Sequence, residues 1–206
     1  MGKQGHNVAT PFGRGFTYFG GNVPDSAQWV QSANIEGFEA EFDDLEPQTV
    51  PKQIVKRSIR PQKCMVVRNV ATIALKPSRA VVWKTGYRNR RVDGYQHVQS
   101  GPVAGVIDEH LPAAGVAVGD LCWLVIGGQV LATAKAATAV TAGARLQASA
   151  GTSSLNDDAG RLEDTALTDG TTDPTFGAQA NLCGRAVSSL ATDSASRLFL
   201  AELTLA

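Results

Sequence analysis

The sequence predicts an all-β protein: a small β-barrel or β-sandwich domain preceded by an extended, largely irregular N-terminal arm. Three stretches carry that prediction. Between Gly101 and Ala150, four apolar runs (Val103–Ile107, Leu121–Ile126, Gln129–Ala134, Arg145–Ala150) are parted by short glycine-containing breaks that leave no room for an ordinary helix. Upstream, Cys64–Val67, Val70–Leu75 and Ala80–Trp83 are rich in β-formers. Downstream, Leu182–Val187 and Arg197–Leu205 close the chain on either side of the polar loop Ser188–Ser196.

Taken in order, residues 1–50 form the arm. Glycines alternate there with Phe12, Phe16, Tyr18, Phe19, Trp29, Phe38 and Phe42, and neither strand nor helix periodicity is sustained. These aromatics are too many for a solvated tail, so they are expected to dock into pockets, either on the chain's own barrel or on a neighbouring subunit. Pro24–Gln31 could begin a short helix at Asp25 or Ser26. Six carboxylates between Glu36 and Glu46 make an acidic docking strip or a solvated face.

Residues 51–206 are assigned to the barrel or sandwich. Lys76-Pro77-Ser78-Arg79 reads as a turn, and Arg88-Asn89-Arg90-Arg91 is the densest basic cluster. Val118-Gly119-Asp120-Leu121 and Ala142-Gly143-Ala144-Arg145 each read as a glycine turn launching a strand, and Gly127-Gly128 as the turn of a tight hairpin. The Gly-, Ser-, Thr- and Asp-rich passage near 151–178 is a long surface loop in which Arg161-Leu162-Glu163 could be a short strand. In the last run Phe199, Ala201 and Leu203 alternate with Leu198 and Leu200, which predicts a strand covered on both faces that finishes the barrel.

Charge is segregated along the chain although the net charge is zero. Residues 1–46 carry two basic and seven acidic side chains, residues 47–91 twelve basic and none acidic, and residues 92–206 five basic and twelve acidic. Such a distribution favours contact between segments or between copies. Specific nucleic-acid recognition is not expected: only Trp83 and Tyr87 offer stacking faces near the basic cluster, and no zinc-knuckle, helix-turn-helix or RNP-like pattern is present. Cys64, Cys122 and Cys183 are widely spaced, which predicts buried reduced thiols. Neither a signal-peptide h-region nor a run of about 20 apolar residues is present, so synthesis in the cytosol without membrane insertion is expected.

Little in the chain points to catalysis. Asp108-Glu109-His110 is the one meeting of carboxylates and histidine, but neighbours in a strand or turn diverge instead of converging on one ion or substrate. The cysteines form no C-x-x-C pair, Gly13-Arg14-Gly15 is not completed to a dinucleotide fingerprint, and there is neither a G-x-S-x-G elbow nor a Walker loop. No enzyme activity, metal or cofactor is expected.

The succession VAGVIDEHLPAAGVAVGDLCWLVIGGQVL, then AVTAGARLQASA, then NLCGRAVSSLATDSASRLFLAEL resembles the small β-barrel capsid cement or decoration proteins of tailed bacteriophages. In those proteins a Gly-Asp or Gly-x turn introduces a strand, and a glycine-arginine-led strand, a polar loop and an apolar strand complete the domain. Gly184-Arg185-Ala186-Val187 and Arg197–Leu203 take those places here, and the resemblance covers about residues 100–206. It implies a non-enzymatic virion protein, made in the host cytoplasm, that binds the outer surface of an assembled head and bridges major capsid proteins. Self-association as a trimer, or second as a dimer, is expected with it. The candidate capsid or subunit contacts are the seven arm aromatics with Arg88, Arg90 and Arg91. A receptor- or carbohydrate-binding β-module of a virion is the alternative reading of such a fold.

Overall fold

A computed structural model describes residues 36–45, 56–95, 102–135, 138–149, 160–164, 182–192 and 198–204. Its strands are β1 (Glu39–Phe42), β2 (Gln62–Asn69), β3 (Ala80–Trp83), β4 (Arg91–Tyr95), β5 (Val103–Ile107), β6 (Leu121–Thr133), β7 (Arg145–Ala148), β8 (Leu162–Asp164), β9 (Leu182–Ala186) and β10 (Leu198–Thr204). The fold is all-β, with no helix among the described residues. Phe12, Phe16, Tyr18, Phe19 and Trp29, the helix expected at Pro24–Gln31 and most of the loop near 151–178 lie outside those residues.

The barrel is a closed ring of five strands, β2-β4-β3-β5-β6, because β6 pairs with both β5 and β2. From the second half of β6 the sheet continues through β10, β9 and β7 to β8. There it returns to its start: Leu162 bridges Ala134, and the Lys135 N–H donates to the Leu162 carbonyl at 2.9 Å. β6 is thus a wall of both halves.

Two apolar clusters fill the two halves. Met65, Val67, Val81, Val92, Tyr95, Ala104, Cys122 and Leu124 come from all five ring strands and occupy the barrel interior, closed over by Ala71, Leu75, Leu111 and Val116. The opposite faces of β2 and β6, with Cys64, Val66, Leu121, Trp123 and Val125, join β1 and the β10-β9-β7-β8 wing in the larger cluster. Trp123 is fully buried at its centre, with Phe42 edge-on at 5.0 Å between ring centroids. Both turns expected to launch strands do so, at Leu121 and Arg145, and Pro77-Ser78 turns the chain before β3.

Several elements differ from expectation. Gly127-Gly128 does not turn a hairpin; it lies inside β6, and the runs on either side are one strand of 13 residues. The glycines serve a bulge instead: Lys63 faces Gly127 whereas Cys64 faces Val125. Gly128 takes φ +89°, and a Cβ there would come 2.9 Å from the Pro61 carbonyl oxygen. The extra residue shifts the alternation, so Val130, Ala132 and Ala134 bury on the side of Leu121, Trp123 and Val125.

Val70–Leu75 is a looped segment and not a strand: the Val70 N–H donates to the Val92 carbonyl of β4 at 3.0 Å, and Leu75 makes an isolated bridge with Val116. Buried Asn69 imposes this: its Nδ2 donates to the carbonyls of Ile73, Val116 and Ala117 at 3.0–3.2 Å, and its Oδ1 accepts the Ala71 N–H at 3.0 Å. A side chain that satisfies the backbone locally draws it out of the ladder. β4 was not expected from its charged sequence. β10 lies beside the ring and does not close it, and only one of its faces is fully covered, Leu198 being 42% exposed. Finally, the sheet begins within the arm, at β1, where Ala40 and Phe42 bury while Glu39 and Glu41 face solvent.

Candidate interaction surface

The acidic strip and the basic block, far apart in charge and adjacent in sequence, meet on the outside of the barrel. β1 lies antiparallel on β2, with Glu39 opposite Met65 and Phe42 opposite Gln62. That register sets Glu39 near Lys63, whose Nζ reaches its carboxylate at 2.9 Å. Lys56 holds Asp43 at 3.1 Å just beyond the strand. The Glu39–Lys63 pair is exposed and contributes little stability, whereas Asp43 is largely shielded from solvent. Two buried clusters flank them.

At the far end of β1, Arg57 bridges Asp44 and Glu109. Its Nε donates to Asp44 Oδ1 at 2.9 Å and its Nη1 to Glu109 Oε2 at 3.1 Å, and both carboxylate side chains are wholly buried. The Leu131 N–H also donates to Glu109. Burial opposes the Arg57 charge, but hydrogen bonds and attraction from Glu109 and Asp44 outweigh it, so its pKa lies above the ordinary arginine value.

At the near end, Glu36 is the anchor. Arg68 of β2 donates to its Oε1, Arg91 of β4 to its Oε2 at 3.1 Å, and Arg90 stands 4.0 Å away. The parallel pairing of β2 with β4, which sets Arg68 beside Arg91, brings two of these guanidiniums together. Arg68 spends its Nη1 on the Gly119 carbonyl at 2.5 Å, so it is held from two sides.

The β3–β4 turn, Lys84 to Arg90, projects beside this cluster. It is ordered by its own backbone: the Tyr87 N–H donates to Lys84 O at 2.9 Å, and the N–H groups of Arg90 and Arg91 both donate to Tyr87 O. Arg91 lies over the Tyr87 ring at 4.5 Å. Arg88 is exposed, and Arg90 keeps about half of its side chain in solvent. Gly37, the residue after Glu36, abuts the Asn89 carbonyl, and next to it Phe38 leaves 42% of its surface exposed while its ring leans on Trp123 at 6.4 Å.

The described candidate contacts therefore divide. Phe38, Arg88, Arg90 and Arg91 gather at one end of the barrel, together with Tyr87. Phe42 is fully buried, docked in the chain's own core, which is one of the two destinations open to the arm aromatics. The sequence reading passed over Arg57, Arg68 and Glu36 individually. A signal for Arg68 was present, since an arginine inside the apolar run Cys64–Val67 and its continuation must be paired to be buried.

The Asp108-Glu109-His110 trio is structural in its geometry. Asp108 Oδ1 accepts the His110 N–H at 3.1 Å within the turn, and Glu109 is committed to Arg57 and Leu131, with His110 Nε2 3.7 Å from it. Among the described residues no group of three or more His, Cys, Asp and Glu is placed to hold a metal ion, and no helix is long and apolar enough to cross a membrane. Comparisons with protein-family models, curated proteins and solved structures returned no match to this chain.

Proposed function

We propose that this chain is a non-enzymatic capsid cement, or decoration, protein of a tailed bacteriophage. Made in the host cytoplasm, it binds the outer surface of an assembled head, bridges major capsid proteins and self-associates, as a trimer first and a dimer second. One observation supports the reading beyond the sequence resemblance: Phe38, Tyr87, Arg88 and Arg90 lie exposed at the end of the closed ring to which residues 1–35 are joined. Aromatic and arginine side chains are the types that dominate binding energy at protein interfaces. An arm that touches the shell adds contacts repeated over symmetric copies, where effective concentration multiplies weak affinities.

The test is co-sedimentation of the protein with undecorated heads. A chain lacking residues 1–34 keeps Glu36, β1 and both arginine clusters, so it is expected to unfold at the temperature of the full chain. Its binding to heads should fall about tenfold or more. Full decoration by this shortened chain would refute the role given to the arm, and failure of the full chain to bind heads would refute the reading itself.

A further inference from the structure

The outward face of the wing makes a second basic surface, apart from the Glu36 end. On β7, β9 and β10 the residues that alternate with buried Leu146, Ala186 and Ala201 point away from the core. Arg145 stands directly opposite Arg185, and Arg185 opposite Glu202, so one row of charge crosses three strands. Arg60 reaches over from the segment before β2 and donates to Glu202 Oε1 at 3.0 Å. The row thus sets three guanidiniums against one carboxylate, with two arginines side by side where like charges repel. Glu163 of β8, off the end of the row, is held by Lys135 at 2.7 Å. The rows two and four residues along the strands are apolar. Val187 and Leu198 are exposed there, Leu131 and Leu200 are half-buried opposite each other, and the Val187 N–H donates to the Leu200 carbonyl at 2.8 Å.

Two surfaces that combine arginine with apolar side chains therefore lie along one strand. Arg68 faces Leu121 at the start of β6, and Glu202 faces Gln129, eight residues on and at most about 27 Å away in extended chain. A protein that bridges needs two such contacts. We propose that the wing face is the second shell contact, and that it takes an extended acidic segment of the shell protein. Carboxylates of that segment lie over Arg145 and Arg185, and apolar side chains two and four residues on cover Val187, Leu200 and Leu198. The spacing matches, because same-face side chains of an extended segment repeat every second residue, as the rows of the sheet do. A second copy's wing face is a poor occupant, since both would bring the same excess of arginine. A nucleic acid is poor as well: it leaves the apolar rows uncovered, and the described residues of this face offer no aromatic ring for a base.

This inference rests on the head-binding reading and names the chemistry of one of its contacts. Co-sedimentation of the full chain with undecorated heads tests it. Arg145→Glu/Arg185→Glu should bind heads about tenfold or more weakly at an unchanged melting temperature, whereas Arg145→Lys/Arg185→Lys should stay within about threefold of wild type. Val187→Ser/Leu198→Ser should weaken binding about threefold or more. Without heads, fluorescent poly-L-glutamate should bind wild-type protein about tenfold more tightly than the charge-reversed variant, and more tightly than double-stranded DNA of equal charge does. Full decoration by the charge-reversed protein, indifference to loss of the apolar pair, or DNA binding more tightly than poly-L-glutamate would overturn the inference while wild-type decoration upholds the head-binding reading. Heads that take up no wild-type protein would overturn both.

Discussion

Arg57 sits between two carboxylates that water does not reach, and removing it exposes what such a cluster contributes. Arg57→Ala leaves Asp44 and Glu109 buried without their cation, and breaking a buried pair in this way costs about 3–5 kcal/mol. Denaturant unfolding should register that loss. Glu39→Ala, which breaks an exposed pair with Lys63, should change stability by less than about 1 kcal/mol in the same assay. The cysteines set a different pH window. Burial pushes the Cys183 thiol up to about 12 from its ordinary 9.0, and burial with the nearby Asp108 and Asp120 raises Cys122 further. With folded pKa values above unfolded ones, the native state holds its thiol protons where the unfolded chain releases them. Their contribution is therefore full below pH 9 and is lost as pH rises toward 12, by about 1.4 kcal/mol per unit for each thiol. Cys183→Ala should flatten the decline of unfolding free energy between pH 9 and 11 relative to wild type. At this scale the sequence was legible in its thiols, all three being free and buried, and in its charge segregation. The identity of each pair was not legible, because it depends on the β1–β2 and β2–β4 registers, which no local pattern specifies.

At the scale of elements, alternation and turn chemistry revealed most strands, and the failures share a cause. Where one side chain governs the backbone, propensity misleads. Val70–Leu75 looks like a strand until Asn69 makes four hydrogen bonds, two with that loop and two with Val116 and Ala117, and Gly127-Gly128 looks like a turn until Pro61 is found packed against it. β1 was hidden for the opposite reason. Its period of two lasts only four residues and lies among carboxylates that read as solvated. Gly184 supplies a test of close approach between strands. A Cβ at this position would fall on the Glu202 carbonyl of β10, where φ is +150°. Gly184→Ala is therefore expected to part β9 from β10 and lower stability by about 2 kcal/mol or more, read as a shifted denaturant midpoint. Gly143→Ala, in a turn with nothing within 4 Å, creates no packing conflict and should cost less, through its φ of +84° alone.

For the whole molecule, the glycine-punctuated pattern identified the class and left open barrel or sandwich. Closure is decided by the β2–β6 pairing, between residues roughly sixty apart, and such long-range contacts leave no trace in neighbouring residues. The surface at the Glu36 end was legible only as an inventory of aromatics and arginines; folding sorts that inventory into Phe42 within and Phe38, Arg88 and Arg90 without.

The sharing of β6 has a mechanical meaning. The ring and the C-terminal strands share one covalent backbone in β6, so parting them means opening the ladder that joins β10 to its second half. The Gly127-Gly128 step, pressed against Pro61 and Gln62, is the point at which that backbone passes from one half to the other.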